Sequence, residues 1–324
     1  MTKNNIMARL DPLFECVNKQ IEENLSSEVP YITQVCRHIL LSKGKRLRPA
    51  LFVLAARLCG HNGNQVYDYS IIFEYIHAAS LLHDDVIDDS DTRRGKRAAH
   101  VVYGNQGVVL VGDFLTSKAF MKVLKIPQAQ FMESLILAAN HMSVGEVLQL
   151  LHQFDAEISE AEYYRLIYQK TGALIEVACR LGAVFAEASA EHENNLAEFG
   201  VRIGKAFQMM DDILDYSLTA AEFGKPVGHD LDEGKITLPV ILALAQSSEA
   251  DHRELRDLVV QEKRSPEELE RIKALISKYD GFEQTRKRAE CLINEAKAFL
   301  APFPEIREKE DLQNLADYIV RRRR

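Results

Sequence analysis

The sequence predicts an all-α fold, a single-domain bundle of helices. Apolar residues recur at three- and four-residue steps over much of the chain, which is the spacing of one helix face. Only nine prolines occur in 324 residues, and none lies between Pro127 and Pro226. Strand signals, meaning β-branched alternation between glycine-rich turns, are sparse.

Bulk composition narrows the function classes. A length of 324 residues fits one large domain or two ordinary ones. With no low-complexity linker and no short repeat, one domain over residues 1–324 is expected. The net charge of −8 argues against a general nucleic-acid binder, which would carry a basic stripe. Cys16, Cys36, Cys59, Cys179 and Cys291 are scattered, odd in number and without C-x-x-C spacing, so reduced thiols in a cytoplasmic protein are expected. The opening MTKNNIMARLDPLF has no apolar signal core. The most apolar stretch, Gly172 to Ala186, is broken by Glu176 and Arg180 and falls short of the roughly 20 residues of a membrane span. A soluble protein with at most peripheral membrane contact follows.

Along the chain, loops are expected near Gly60–Gly63, Arg93–Gly107 and Phe223–Gly234. Residues 73–94 read FEYIHAASLLHDDVIDDSDTRR. Asp84 and Asp88 are i,i+4 and share a helix face with His77 and Leu81. Asp85 and Asp89 form a second pair about 100° around the helix. Like charges so spaced repel, and anions near a helix C-terminus oppose its dipole. Four carboxylates in six residues therefore call for a counter-charge, and Mg²⁺ shared with substrate phosphates suits them. A single D-x-x-D is more often a solvated helix end. Here the preceding segment is apolar, and Arg93 and Arg94 follow as cations for phosphate.

Ser159 with Glu162 fits a capping box opening a helix over Tyr163–Arg180. Leu196, Phe199, Ile203, Phe207, Met210 and Leu214 trace a buried helix stripe. Beside it, Gly204, Gln208, Asp211 and Asp215 form a polar stripe expected to border a wet cavity. There GKAFQMMDDILDY repeats the D-D-x-x-D spacing at Asp211, Asp212 and Asp215, and Lys225, Asp230 and Lys235 follow. Ser265-Pro266-Glu267-Glu268 starts a further helix. Two acidic motifs on amphipathic helices, each followed by basic residues, are a far stronger signal than one. Two such clusters facing each other would cage several Mg²⁺ ions around a diphosphate.

From about Lys43 to Pro239 the chain strongly resembles the trans-isoprenyl diphosphate synthases, or polyprenyl synthetases. The motifs are GKRLRP at 44–49, LLHDDVIDDSDTRRG at 81–95, VGDFL at 111–115, GEVLQL at 145–150, KTGALIE at 170–176 and the second aspartate block. The resemblance implies a helical homodimer of the isoprenoid synthase type, with a deep central cavity. It implies direct Mg²⁺ binding by Asp84, Asp88 and Asp211, supported by Asp85, Asp212 and Asp215. Arg93, Lys170, Lys225 and Lys235 would hold the allylic diphosphate, with Gln208 nearby. Lys45, Arg48, His77 and Arg94 would hold isopentenyl diphosphate, and Thr171 would shape the site near the reacting carbons. No protein base is assigned, because in the family the departing diphosphate is thought to take the proton. The chain departs from the family at Ser42-Lys43-Gly44-Lys45, where two glycines are usual, and at Lys96–His100, where Pro-Ser/Thr is common.

Short-chain relatives carry bulky aromatics at the fourth and fifth positions before the first motif. Here these are Ser80 and Ala79, so an open tunnel and a long product are expected, octaprenyl diphosphate above its neighbours and farnesyl diphosphate as primer. Small residues also serve close helix packing. Phe73, about 16 Å along the helix from Asp84, reads equally as a tunnel floor or a core ring. The rivals are a short-chain farnesyl or geranylgeranyl synthase, a terpene cyclase, which the second D-D-x-x-D disfavours, and a non-catalytic subunit of a heteromeric synthase. Arg321–Arg324 read as a solvated tail. Glu146 and Gln149 read equally as cavity lining or structural hydrogen bonds.

Overall fold

The structure is a computed structural model that describes residues 6–42, 44–93, 95–217 and 228–322. Its elements are α1 Ile6–Asn24, α2 Pro30–Leu40, α3 Leu47–Leu58, α4 Gln65–Ile87, a two-residue antiparallel hairpin of β1 Thr92–Arg93 and β2 Lys96–Arg97, α5 Ala99–Tyr103, α6 Asn105–Val123, α7 Ala129–Leu151 and α8 Glu160–Ile167. A π-helical turn, Tyr168–Gly172, follows. Then come α9 Ala173–Phe185, α10 Ala190–Ser217, α11 His229–Asp232, α12 Leu238–Gln246, α13 Glu249–Val259, α14 Pro266–Lys278, α15 Gly281–Phe299 and α16 Arg307–Arg321. The all-α class holds.

The chain divides into two compact units that interleave in sequence. One comprises Met1–Ala139, Leu174–Gly200 and Phe299–Leu315; the other comprises Asn140–Ala173, Val201–Ala298 and Ala316–Arg324.

In the first unit α4 is the central helix and packs on α1, α2, α3 and α6. It is buried around most of its circumference, from Val66 through Ile71, Phe73 and Ile76 to Leu82, as a helix apolar on all sides must be. Phe73 is fully buried against Phe52 and Phe131, with ring centroids 5.1 and 6.4 Å away. Each such ring contributes about 1.5–3 kcal/mol through burial. Gly182 of α9 lets α3 approach, since a Cβ there would lie 2.6 Å from Ala55 Cβ. One polar network crosses this core. Arg46, at φ 47° just before α3, donates to Asn18 Oδ1 at 2.9 Å, Glu74 Oε1 at 2.5 Å and the Leu40 carbonyl.

In the second unit α12 packs on α8, α13 and α14. Its helices start where the sequence says. Ser159 accepts from the Glu162 N–H and Glu162 reaches back to the Ser159 N–H. Ser265 and Glu268 repeat that box, with Pro266 in the first turn.

Three expectations change. The Arg93–Gly107 loop contains the hairpin, α5 and the start of α6. The helix expected over Tyr163–Arg180 is split by the π-helical turn. The third concerns membrane-length segments: α7 is long and apolar enough to cross a membrane by length and composition. Polar residues interrupt its apolar runs, so it does not read as one block. Its Ile136, Leu137, Val147, Leu150 and Leu151 are exposed.

Candidate active site

Asp84 lies in the last turn of α4, and the Asp88 N–H donates to the Asp84 carbonyl at 2.8 Å, closing the helix. The four carboxylates then diverge. Asp84 and Asp88 are half-buried, Asp85 is buried, and the Asp89 side chain is 98% exposed. The Asp85/Asp89 face foreseen in the sequence does not form, because α4 ends at Ile87 and Asp89 turns to φ 48°. Arg93 on β1 reaches back to Asp85 Oδ1, its Nε donating at 2.7 Å and its Nη2 closing a second contact. The hairpin is what returns Arg93 to the helix end. Asp85 Oδ2 is buried with no hydrogen-bond partner among the described residues. Upstream, Lys45, Arg48 and His77 are half-buried, Ala79 is buried, and Ser80 Oγ donates to the His77 carbonyl at 2.9 Å.

The second motif lies in the last turns of α10, and its carboxylates also separate. Asp211 pairs with Arg322 at 2.8 Å. Asp212, 2% exposed, accepts from Tyr163 Oη at 2.5 Å and Gln208 Nε2 at 2.9 Å, and Gln208 Oε1 accepts from Thr171 Oγ1 at 2.9 Å. Asp215 is buried and accepts from the Asp230 N–H at 3.2 Å. Gln208 thus pairs with Asp212 rather than Asp211, since i,i+4 residues lie closer in helical phase than i,i+3. Burial and the nearby Asp230 carboxylate push the Asp212 carboxyl up to about 7, against the pull of its two donors.

A cavity of about 60 Å³ opens within this unit, lined by Lys170, Gln208, Asp212, Asp230 and Lys235 with Gln149 and Tyr163. Lys170 sits on the π-helical turn, a local defect frequent at functional sites, and its Nζ donates to Glu146 at 2.7 Å. Gly145 permits this, since a Cβ there would lie 2.6 Å from the Lys170 nitrogen. Lys235 contacts Glu233 and lies 3.9 Å from Asp230.

Arg94 and Lys225 lie outside the described residues. Sequence patterning does not mark Tyr163 as functional, and it reads Arg322 as part of a solvated tail, whereas the structure buries both side chains. A tyrosine between Glu162 and Tyr164 carries no sequence mark of its partner, and a terminal arginine run looks solvated. The donor set present is hard oxygen, as Mg²⁺ requires, and the orphaned Asp85 oxygen fits it. No three His, Cys, Asp or Glu side chains among the described residues converge to hold an ion by themselves.

Comparison with known proteins agrees. A family described as polyprenyl synthetase matches residues 29–276. The octaprenyl diphosphate synthase of Escherichia coli K12 is 39% identical over 308 residues, covering 95% of each chain. The crystal structure of a polyprenyl synthase from Caulobacter crescentus CB15, complexed with calcium and isoprenyl diphosphate, superposes with a TM-score of 0.93 at 36% identity, covering 99% of this chain and 98% of that one. A decaprenyl diphosphate synthase from Rhodobacter capsulatus gives a TM-score of 0.91 at 37% identity, with 98% of both chains covered.

Proposed function

The chain belongs to the polyprenyl synthetase family and is a prenyltransferase, and from that premise we propose that it joins isopentenyl diphosphate to an allylic diphosphate and repeats the addition to octaprenyl diphosphate. The observation that carries the reading is the pair of aspartate motifs, each with a guanidinium already placed on one of its carboxylates. Such sites suit an anion that brings its own cations. The whole of 1–324 is read as one catalytic domain working in the cytoplasm, which suits its five free cysteines.

Asp84, Asp88 and Asp211 would hold magnesium, with Asp85, Asp212 and Asp215 behind them. When bound, magnesium supplies positive charge to a departing diphosphate. Arg93, Lys170 and Lys235 would bind the allylic diphosphate with Lys225, and Lys45, Arg48 and His77 the isopentenyl diphosphate with Arg94. Lys170 and Lys235 exchange Glu146 and Glu233 for phosphate oxygens when substrate arrives. Asp212 fixes Tyr163 on the cavity wall, and Gln208, also on that wall, holds the Thr171 hydroxyl. Departing diphosphate takes the proton, so no side chain is needed as base.

Ala79 and Ser80 are small, and further down α4, on nearly the face of Asp84, Phe73 sits in a cluster with Phe52 and Phe131. That arrangement supports a long product, with the rings as floor. The exposed apolar side chains of α7, together with Leu110 and Met121 of α6, support a second copy of the chain as partner. Purified protein alone, given farnesyl diphosphate, labelled isopentenyl diphosphate and Mg²⁺, is expected to turn over, and to stop with a chelator. Activity appearing only with an added partner chain would instead favour a subunit of a heteromer.

A further inference from the structure

Among the described residues at the basic end of the chain, one side chain is not solvated. Arg322 follows the last residue of α16, and its side chain is 3% exposed. Neighbouring Arg321 is 79% exposed. Three contacts hold Arg322 to the final turns of α10. Its Nη2 donates to the Phe207 carbonyl at 2.7 Å and pairs with Asp211 Oδ1 at 2.8 Å. Its guanidinium carbon lies 4.0 Å from the centroid of the Phe207 ring. Its Nε is buried and has no acceptor among the described residues.

A desolvated guanidinium is costly to bury unless it is paired. Here the stack and the shared nitrogen anchor it on the same two turns of helix that carry Asp211. The carboxylate it holds remains 32% exposed. Asp211 therefore keeps a face toward solvent while one oxygen is held. The positive charge beside it has opposite consequences for two ligands. A bare divalent cation is repelled by it. A cation that arrives with a diphosphate carries net negative charge and is attracted.

We propose that Arg322 is the positioning residue of the second aspartate motif, holding the Asp211 carboxylate in one orientation and making the site select a cation delivered with diphosphate over the cation alone. The proposal rests on the reading that Asp211 binds magnesium.

The test follows thermal unfolding of the full chain against Mg²⁺, with and without inorganic pyrophosphate, for the wild type, Arg322→Met, Arg322→Gln, Arg322→Lys and Asp211→Asn. Loss of the charge in Arg322→Met is expected to lower the half-saturating concentration of Mg²⁺ alone about threefold and to raise that of magnesium pyrophosphate about threefold or more. Arg322→Gln, which keeps a polar donor but no charge, is expected to shift both midpoints in the same opposed directions. Arg322→Lys, which restores charge, should bring both back toward wild type. Midpoints that move together, or do not move in a folded variant, would reduce Arg322 to an anchor for the tail and overturn the proposal. So would loss of folding in both neutral variants. If Asp211→Asn leaves both midpoints at the wild-type value, the assignment of Asp211 to magnesium fails, which is a separate result.

Discussion

Gly145→Ala isolates the placement of Lys170 from its chemistry. Gly145 is on α7, and a Cβ added there would lie 2.6 Å from the Lys170 nitrogen and 2.8 Å from its Cα. These are backbone atoms, so no side-chain rotation relieves the clash. The overlap is about 0.8 Å relative to the closest ordinary contact. The π-helical turn must move away from α7 by roughly that distance, and the 2.7 Å Lys170–Glu146 pair moves with it. Overpacking of this kind costs about 1–3 kcal/mol of stability. A displacement near 1 Å at a substrate-binding group costs up to about 100-fold in rate. Steady-state kinetics should show kcat/KM for the allylic diphosphate falling about 30- to 100-fold, with KM for isopentenyl diphosphate changing less than about threefold. Gly172→Ala is the control, since its Cβ would approach the Tyr168 side chain at 3.2 Å and the Ile167 carbonyl only at an ordinary 3.7 Å. Wild-type kinetics in a stable Gly145→Ala protein would refute the placement of Lys170 against α7 as the cause of its role.

Other perturbations test separate parts of the account. Ser80→Phe should shorten the product without abolishing turnover; an unchanged product distribution would mean that Ser80 does not line the tunnel. Glu74→Ala leaves the buried Arg46 guanidinium uncompensated and should cost about 3–5 kcal/mol in denaturant unfolding, whereas a loss below about 1 kcal/mol would show that solvent reaches the pair. Asp212 holds its proton up to about 7 in the folded, metal-free chain. Its unfolded value is about 3.9, so the folded state binds more protons between the two, and this contribution to stability declines as pH rises through that window. Asp212→Asn removes the titration, so its stability relative to wild type should rise by on the order of 2 kcal/mol from about pH 5 to about pH 8; a pH-independent difference would contradict the burial argument.

Much of this molecule was legible in its sequence. The helix starts at Ser159 and Ser265 follow from side chains that satisfy orphan N–H groups locally, so they need no tertiary context. The closing of α4 beside Asp84 and Asp88 was equally readable, because an acidic run after an apolar helix marks its end. What sequence periodicity did not show was the fate of individual carboxylates. Asp85 turns inward to Arg93 through a hairpin of two-residue strands, too short to leave a pattern. Asp212 finds Tyr163 and Asp211 finds Arg322 over separations no local rule connects. The π-helical turn at Lys170 is set by packing against Gly145, and its residues read as ordinary helix.

Product length under defined conditions tests the central claim most directly. The purified chain, given farnesyl diphosphate, excess labelled isopentenyl diphosphate and Mg²⁺, should release mainly octaprenyl diphosphate, resolved by chain length after dephosphorylation. Products that stop at farnesyl or geranylgeranyl length would contradict it, leaving Ala79 and Ser80 as packing residues and Phe73 as an ordinary member of the core.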